Sequence, residues 1–246
     1  MVMRPDARLH ARPATVSAPA PVGRLPLDVG SKRDSYLYVP AAYRPAHPAP
    51  MVLLLHGAGG HAHHGLALLE HLADDRGLIL VAPVAAAHTW DVIAGHSFGA
   101  DVAMLDRALA HVFAHYAIDP AHLAIGGFSD GASYALSLGL ANGDLFSHVI
   151  AFSPGFIAHV IQEGVPEIFI SHGTADDVLP VDPCSRSIVP LLGQAGYVVE
   201  YHEFDGGHEI PGDVARHAAD WFLRDGGRGT RILAQTPHGR GHGGAN

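Results

Sequence analysis

The chain is 246 residues long and 48% hydrophobic, enough for one domain with a well-buried core, which excludes a disordered polypeptide. Its formal charge of −9 argues against a nucleic-acid partner, because phosphate binding requires clustered Lys and Arg. A lone cysteine, Cys184, excludes an intrachain disulfide and a multi-cysteine zinc site.

Residues 1–21 carry Pro5, Pro13, Pro19 and Pro21 and read as a flexible arm. They lack the continuous apolar core of a signal peptide, and no window of the chain approaches the ~18 apolar residues of a membrane span. A cytoplasmic protein with no membrane contact is therefore expected. Residues 22–225 form the expected folded domain, and the Gly-, Arg- and His-rich tail 226–246 is expected to fray.

Within the domain, apolar or alternating runs at Leu25–Val29, Ser35–Val39, Met51–His56, Leu78–Pro83, Leu123–Gly127, His148–Phe152, Glu167–Ser171 and Val198–Phe204 predict strands. Several are near-continuous apolar blocks, as expected of strands buried on both faces. Helical patterns fall between them, at His64–Asp75, Ala100–Tyr116, Ala132–Asn142, Ser185–Ala195 and Asp213–Arg224, with Asp213 as the candidate cap of the last. Strands alternating with helices predict an α/β fold: a mostly parallel central sheet of about eight strands with helices on both faces. The stretch from Pro154 to Pro166 leaves no room for a large lid.

Two segments fit Gly-x-Ser-x-Gly: Gly95-His96-Ser97-Phe98-Gly99 and Gly127-Phe128-Ser129-Asp130-Gly131. A nucleophilic serine needs a sharp strand-to-helix turn with small neighbours, so that its oxygen stands clear of the backbone. Ser129 has that context. The apolar run Leu123–Gly127 precedes it, and a helix of small and apolar residues begins at Ala132. Before Ser97 there is only Asp91-Val92-Ile93-Ala94, a poor strand, so Ser97 reads as a loop or helix-entry serine.

A serine hydroxyl becomes nucleophilic when a histidine removes its proton and a carboxylate fixes that histidine's tautomer. Two further strand ends supply such groups. After Glu167–Ser171 comes His172-Gly173-Thr174-Ala175-Asp176-Asp177, in which two adjacent aspartates compete and spacing alone does not choose. After Val198–Phe204 comes Asp205-Gly206-Gly207-His208, where His208 sits in a Gly-flanked loop. His202 lies inside the strand and His217 on the last helix, where packed or solvated roles are expected. His172 is expected to pack beneath the acid loop. Negative charge on a tetrahedral intermediate calls for backbone N–H donors. One is expected from Asp130, after the nucleophile, and the other from the glycine-rich loop His56-Gly57-Ala58-Gly59-Gly60. That loop lacks the Lys-Ser/Thr ending of a nucleotide-binding P-loop.

Taken together, the His56–Gly60, Gly127–Gly131, His172-Gly173…Asp176…Pro180 and Gly207-His208-Glu209 segments resemble the phospholipase/carboxylesterase and dienelactone-hydrolase-like branch of the α/β-hydrolase superfamily. The resemblance runs from about Leu25 to Leu223, and its four motifs stand in the family's order. It implies Ser129 as nucleophile, His208 as base and Asp176 as acid, the last because the family's aspartate lies four residues after the His of His-Gly and four before a proline. It also implies the N–H groups of Ala58 and Asp130 as oxyanion donors. Dienelactone hydrolases carry cysteine where this chain has Ser129, so their particular activity is not expected. Trp90, Phe98 and Leu179 are candidate pocket residues.

The expected activity is hydrolysis of small, short-acyl carboxylic esters without a cofactor or metal; thioesters and lysophospholipids suit the same machinery. Two readings of another class stand beside it. The run His61, His63, His64 motivates a metal-dependent hydrolase, although no carboxylate or cysteine accompanies it at ligand spacing. A binding protein on a hydrolase scaffold is the other.

Overall fold

The computed structural model describes residues 7–30 and 33–224. The proposed tail 226–246 therefore lies outside the described residues, as do residues 1–6 of the arm.

One eight-stranded sheet organises the chain, in the order β1-β2-β4-β3-β5-β6-β7-β8. The strands are β1 (Gly23–Leu27), β2 (Ser35–Val39), β3 (Ala49–Leu55), β4 (Ile79–Ala82), β5 (Ile118–Phe128), β6 (His148–Phe152), β7 (Glu167–Gly173) and β8 (Val199–Phe204). β1 and β2 join antiparallel at one end, and every pairing from β4 to β8 is parallel. The helices are α1 (Ala62–Ala67), α2 (Glu70–Arg76), α3 (Asp91–Ala94), α4 (Ala100–His115), α5 (Asp130–Ala141), α6 (Ser185–Gln194) and α7 (Gly212–Phe222).

The period-2 geometry of strands explains why the central ones are apolar throughout. Along β3, Met51, Leu53 and Leu55 enter one core cluster with residues of α4, α5 and α6, while Val52 and Leu54 enter a second with residues of α1, α2 and α7. Both sheet faces are thus covered by helices, as predicted.

Three local differences have clear causes. The helix expected over 64–75 is two short helices, because the chain breaks at Leu69 (φ −135°, ψ −1°) and turns this fully buried leucine inward beside Leu66 and Leu72. Asp91–Ala94, read as a poor strand, is a one-turn helix entered from an extended Trp90. Asp213 does not cap α7: the extended residue before the helix is Pro211, and Asp213 lies in the first turn, where its charge faces the positive end of the helix dipole.

Residues 7–21 form no helix or strand until β1, consistent with their prolines, yet the start of this segment is tied down rather than loose. Leu9 is fully buried and its N–H donates to Asn142 Oδ1 at 2.8 Å; Asn142 Nδ2 donates to Ala7 O at 2.8 Å. Arg8 and Arg12 both pair with Asp144. The buried Asn142, at the end of α5, finds its partners in this passing strand of backbone, which satisfies both.

No helix among the described residues is long and apolar enough to cross a membrane.

Candidate active site

The parallel strands set their C-terminal ends on one edge of the sheet, and the loops leaving β3, β5, β7 and β8 carry the four motifs to that edge.

Ser129 links β5 to α5 with φ 59° and ψ −121°, a conformation disfavoured for any side-chain-bearing residue. Its N–H donates to Phe152 O at 2.9 Å, which secures the turn to β6. Both flanking glycines are required by packing. A Cβ on Gly127 would lie 2.5 Å from the carbonyl group of Gly131, and a Cβ on Gly131 would overlap the carbonyl oxygens of Leu55 and His56. The turn therefore presses α5 directly against the end of β3.

Ser129 Oγ lies 2.9 Å from His208 Nε2, and His208 Nδ1 lies 2.7 Å from Asp176 Oδ2. A carboxylate can only accept, so Nδ1 carries a proton and Nε2 of the neutral ring accepts from the Ser129 hydroxyl. Asp176 is itself held in place: Oδ1 accepts from the N–H groups of Val178 (3.0 Å) and Leu179 (2.8 Å). Burial pushes the Asp176 carboxyl up, but the His208 N–H and the two backbone donors outweigh it and hold the group below its ordinary value. Asp177, the competing aspartate, is exposed. His172 is fully buried below this loop. Its Nε2–H donates to Leu179 O (2.7 Å), and its Nδ1 accepts from Ser185 Oγ (2.7 Å).

The glycine-rich loop also packs against Ser129. A Cβ on Gly57 would sit 3.4 Å from Ser129 Cβ, so the Gly57–Ala58 segment abuts the serine. His56, 1% exposed, shapes this loop. Its Nε2 accepts from Ala85 N–H at 3.1 Å, so its proton is on Nδ1 and donates to Gly57 O at 2.7 Å. Burial pushes the His56 ring down to about 4, which keeps it neutral in this role.

The sequence profile of the phospholipase/carboxylesterase family matches residues 100–223, a span that holds Ser129, Asp176 and His208. This chain belongs to that family. Its relatives include feruloyl esterase C of Emericella nidulans, 29% identical over 72% of this chain and 76% of that one. NocK of Nocardia uniformis subsp. tsuyamanensis is 27% identical over 78% of this chain and 64% of that protein. Among solved structures, esterase PE8 is 26% identical with a TM-score of 0.59, covering 75% of this chain and 95% of its own. S-formylglutathione hydrolase (FrmB) from Staphylococcus aureus shares the fold at 15% identity, with a TM-score of 0.66 over 83% of this chain and all of its own. The protein is thus a carboxylesterase-type hydrolase with the α/β-hydrolase fold.

Within this family member, the other residues singled out in the sequence fall in different places. Ser97 is exposed in the loop between α3 and α4, with a helix rather than a strand before it, and so lacks the strand-to-helix setting of Ser129. Trp90 and Phe98, read as candidate pocket walls, are core residues. Trp90 is fully buried, donates its indole N–H to His56 O at 2.9 Å and stacks on Tyr134, while Phe98 leans on the same tyrosine. A buried indole needs an acceptor, and the carbonyl under the glycine-rich loop supplies it, so Trp90 shows no surface to a ligand. Leu179 remains partly exposed beside Gly155 and next to the acid loop.

His202 and His217 pack edge to face on each other at 5.3 Å, and His217 bonds Glu200. His61, His63 and His64 do cluster, but Arg33 donates to His61 Nδ1 at 3.0 Å and the N–H of His61 donates to His64 Nδ1 at 3.1 Å. Those two ring nitrogens are occupied as acceptors, and a guanidinium at the first opposes a cation there. Among the described residues, no three or more His, Cys, Asp or Glu side chains are placed so that they could hold a metal ion.

Proposed function

We propose that this esterase hydrolyses small, short-acyl carboxylic esters through a covalent ester on Ser129, with His208 as base and Asp176 as its orienting acid. The unbroken line Asp176 Oδ2, His208 Nδ1 and Nε2, Ser129 Oγ, with steps of 2.7 and 2.9 Å, is the observation that carries this reading. As Ser129 Oγ attacks the ester carbonyl, its proton passes to His208 Nε2, and the imidazolium that forms is stabilised by Asp176. The carbonyl oxygen becomes an oxyanion facing the N–H groups of Ala58 and Asp130. Collapse breaks the bond to the alcohol oxygen, which takes the proton back from Nε2 and leaves as the free alcohol. Water, deprotonated by the same nitrogen, then attacks the acyl-enzyme; the bond from the acyl carbon to Ser129 Oγ breaks, Oγ takes the proton back from Nε2, and the acid is released.

The short-acyl preference is supported by the connection between β6 and β7, which forms no helix that could cover the site. The name of the relative feruloyl esterase C makes aromatic acyl esters the first comparison to draw against simple aliphatic ones.

Mass spectrometry of the protein after reaction with a fluorophosphonate tests the mechanism. The label is expected on Ser129. A label on Ser97, or full esterase activity in Ser129→Ala, would overturn the assignment. Hydrolysis rates across acetyl, butyryl, octanoyl and feruloyl esters then test the acyl preference; rates rising with chain length to octanoyl would refute it.

A further inference from the structure

The two N–H groups proposed to hold the oxyanion, those of Ala58 and Asp130, come from segments far apart in sequence, which the packing of Gly131 on Leu55 and His56 joins only at their bases. The segment joining β4 to α3, residues 83–90, touches both. On the Ala58 side, Gly59 N–H donates to His88 O at 2.7 Å, Ala85 N–H donates to His56 Nε2 at 3.1 Å, and Trp90 Nε1–H donates to His56 O at 2.9 Å. On the Asp130 side, Thr89 Oγ1–H donates to Asp130 Oδ2 at 2.5 Å.

This connecting segment is itself fastened at several points. The buried carboxylate of Asp101 accepts from Ala86 N–H at 2.9 Å and from Asp91 N–H at 2.8 Å. Arg33 reaches in from the loop before β2. One of its terminal nitrogens donates to Ala85 O (2.9 Å) and Ala87 O (2.8 Å), and the other donates to Gly60 O (2.8 Å). A planar guanidinium suits this task, because its donors diverge at fixed angles and can hold two loops in one relative position.

From these contacts we infer that residues 83–90 form a brace setting the separation of the two oxyanion donors, with Thr89 and Arg33 as positioning residues. This rests on the function proposed above. Thr89 has a second effect by chemistry alone. A carboxylate one residue past the nucleophile lies close to where negative charge develops, and the two repel. The Thr89 hydroxyl gives Asp130 Oδ2 a fixed partner and keeps the side chain turned to the brace. Neither Thr89 nor Arg33 is a hydrogen-bond partner of the Ser129 or His208 side chains; Thr89 acts through the Asp130 carboxylate and Arg33 through the carbonyls it holds.

Thr89→Val keeps the shape and removes the hydroxyl. It is expected to lower kcat on a p-nitrophenyl ester about 10-fold, less than the loss of a whole oxyanion donor, with KM within about twofold. Affinity for a trifluoromethyl ketone, which forms the tetrahedral adduct, should weaken by a similar factor. Thr89→Ser, which restores the hydroxyl, should recover most of both. Arg33→Gln should move kcat and ketone affinity in the same direction. Wild-type kcat in Thr89→Val, or a loss that Thr89→Ser does not repair, would overturn the inference, even if Arg33→Gln fails to fold. The two proposals fail differently. Absence of fluorophosphonate label on Ser129 in the wild type defeats the mechanism, whereas a labelled Ser129 with kcat unmoved in Thr89→Val defeats only the brace.

Discussion

Gly131 packs its bare Cα against the carbonyl oxygen of Leu55, the last residue of β3, and a methyl group there would overlap that oxygen. The contact joins the start of the helix behind the nucleophile to the strand that leads into the glycine-rich loop. Both partners are backbone within a close-packed interior, so neither can yield cheaply. Gly131→Ala should therefore cost about 3 kcal/mol or more, against a gain of under about 1 kcal/mol from helix propensity. Urea unfolding of the purified variant measures this; a midpoint equal to wild type would mean that α5 can shift away from β3 freely.

Strain at Ser129 predicts a trade of stability against activity. The residue holds φ 59° and ψ −121°, where glycine is at ease and serine is not. Ser129→Gly should abolish ester hydrolysis while raising stability by about 1 kcal/mol, the relief of strain exceeding the added freedom of the unfolded chain. Thermal unfolding together with a chromogenic ester assay gives both numbers. A destabilised Ser129→Gly would show that hydroxyl contacts, not backbone strain, dominate there.

The sheet was legible because its signals are local. β2 and β6 begin and end where their apolar runs do, at Ser35–Val39 and His148–Phe152. β5 is longer than predicted, since Asp119–Pro120 reads as a turn. The register slips instead between the pairs Ala49–Ile118 and Met51–Leu123, and the turn becomes an irregularity within the pairing. The candidate serine, acid and histidine were legible for a similar reason: each sits in a short motif at a strand end. Arg33 and Thr89 carry no such mark. Arg33 meets Ala87 across 54 residues and Thr89 meets Asp130 across 41, and only the fold brings them together. Trp90 and Phe98 were misplaced because an aromatic beside a loop looks alike in sequence whether it faces a pocket or the core.

Adjacent aspartates with different surroundings allow a sharp comparison. Asp176 is buried and bonded to His208 and two backbone donors, while Asp177 is exposed. Asp176→Asn puts an amide where a carboxylate fixed the His208 tautomer, and kcat should drop by about 10⁴-fold. Asp177→Asn should leave kcat within about twofold, as surface changes away from the reacting groups do. Steady-state kinetics of the two variants side by side decide the matter, and equal losses would remove Asp176 from its proposed role.

Acid should weaken the fold through two neutral histidines. His56 lies under the glycine-rich loop, and His148 packs edge-on against Trp221 and Phe222; burial pushes each down to about 4 from an ordinary 6.5. Both values are depressed bases, so the unfolded chain binds these protons more readily than the folded one. Their contribution is complete above the unfolded value and is lost as pH falls from 6.5 towards 4. At the acid end each ring accounts for up to about 3 kcal/mol. The depressed Asp176 carboxyl adds a loss of the same sign at lower pH, since its stabilisation is present above the ordinary carboxylate value and disappears below it. Urea midpoints measured between pH 7 and 4.5 should fall steadily. His148→Phe, which cannot take up the proton and lies remote from Ser129 at the other end of β6, should flatten that slope while leaving ester hydrolysis at pH 7 intact. An identical slope in wild type and His148→Phe would mean that this ring is protonated as easily folded as unfolded, against its burial between α7 and the sheet.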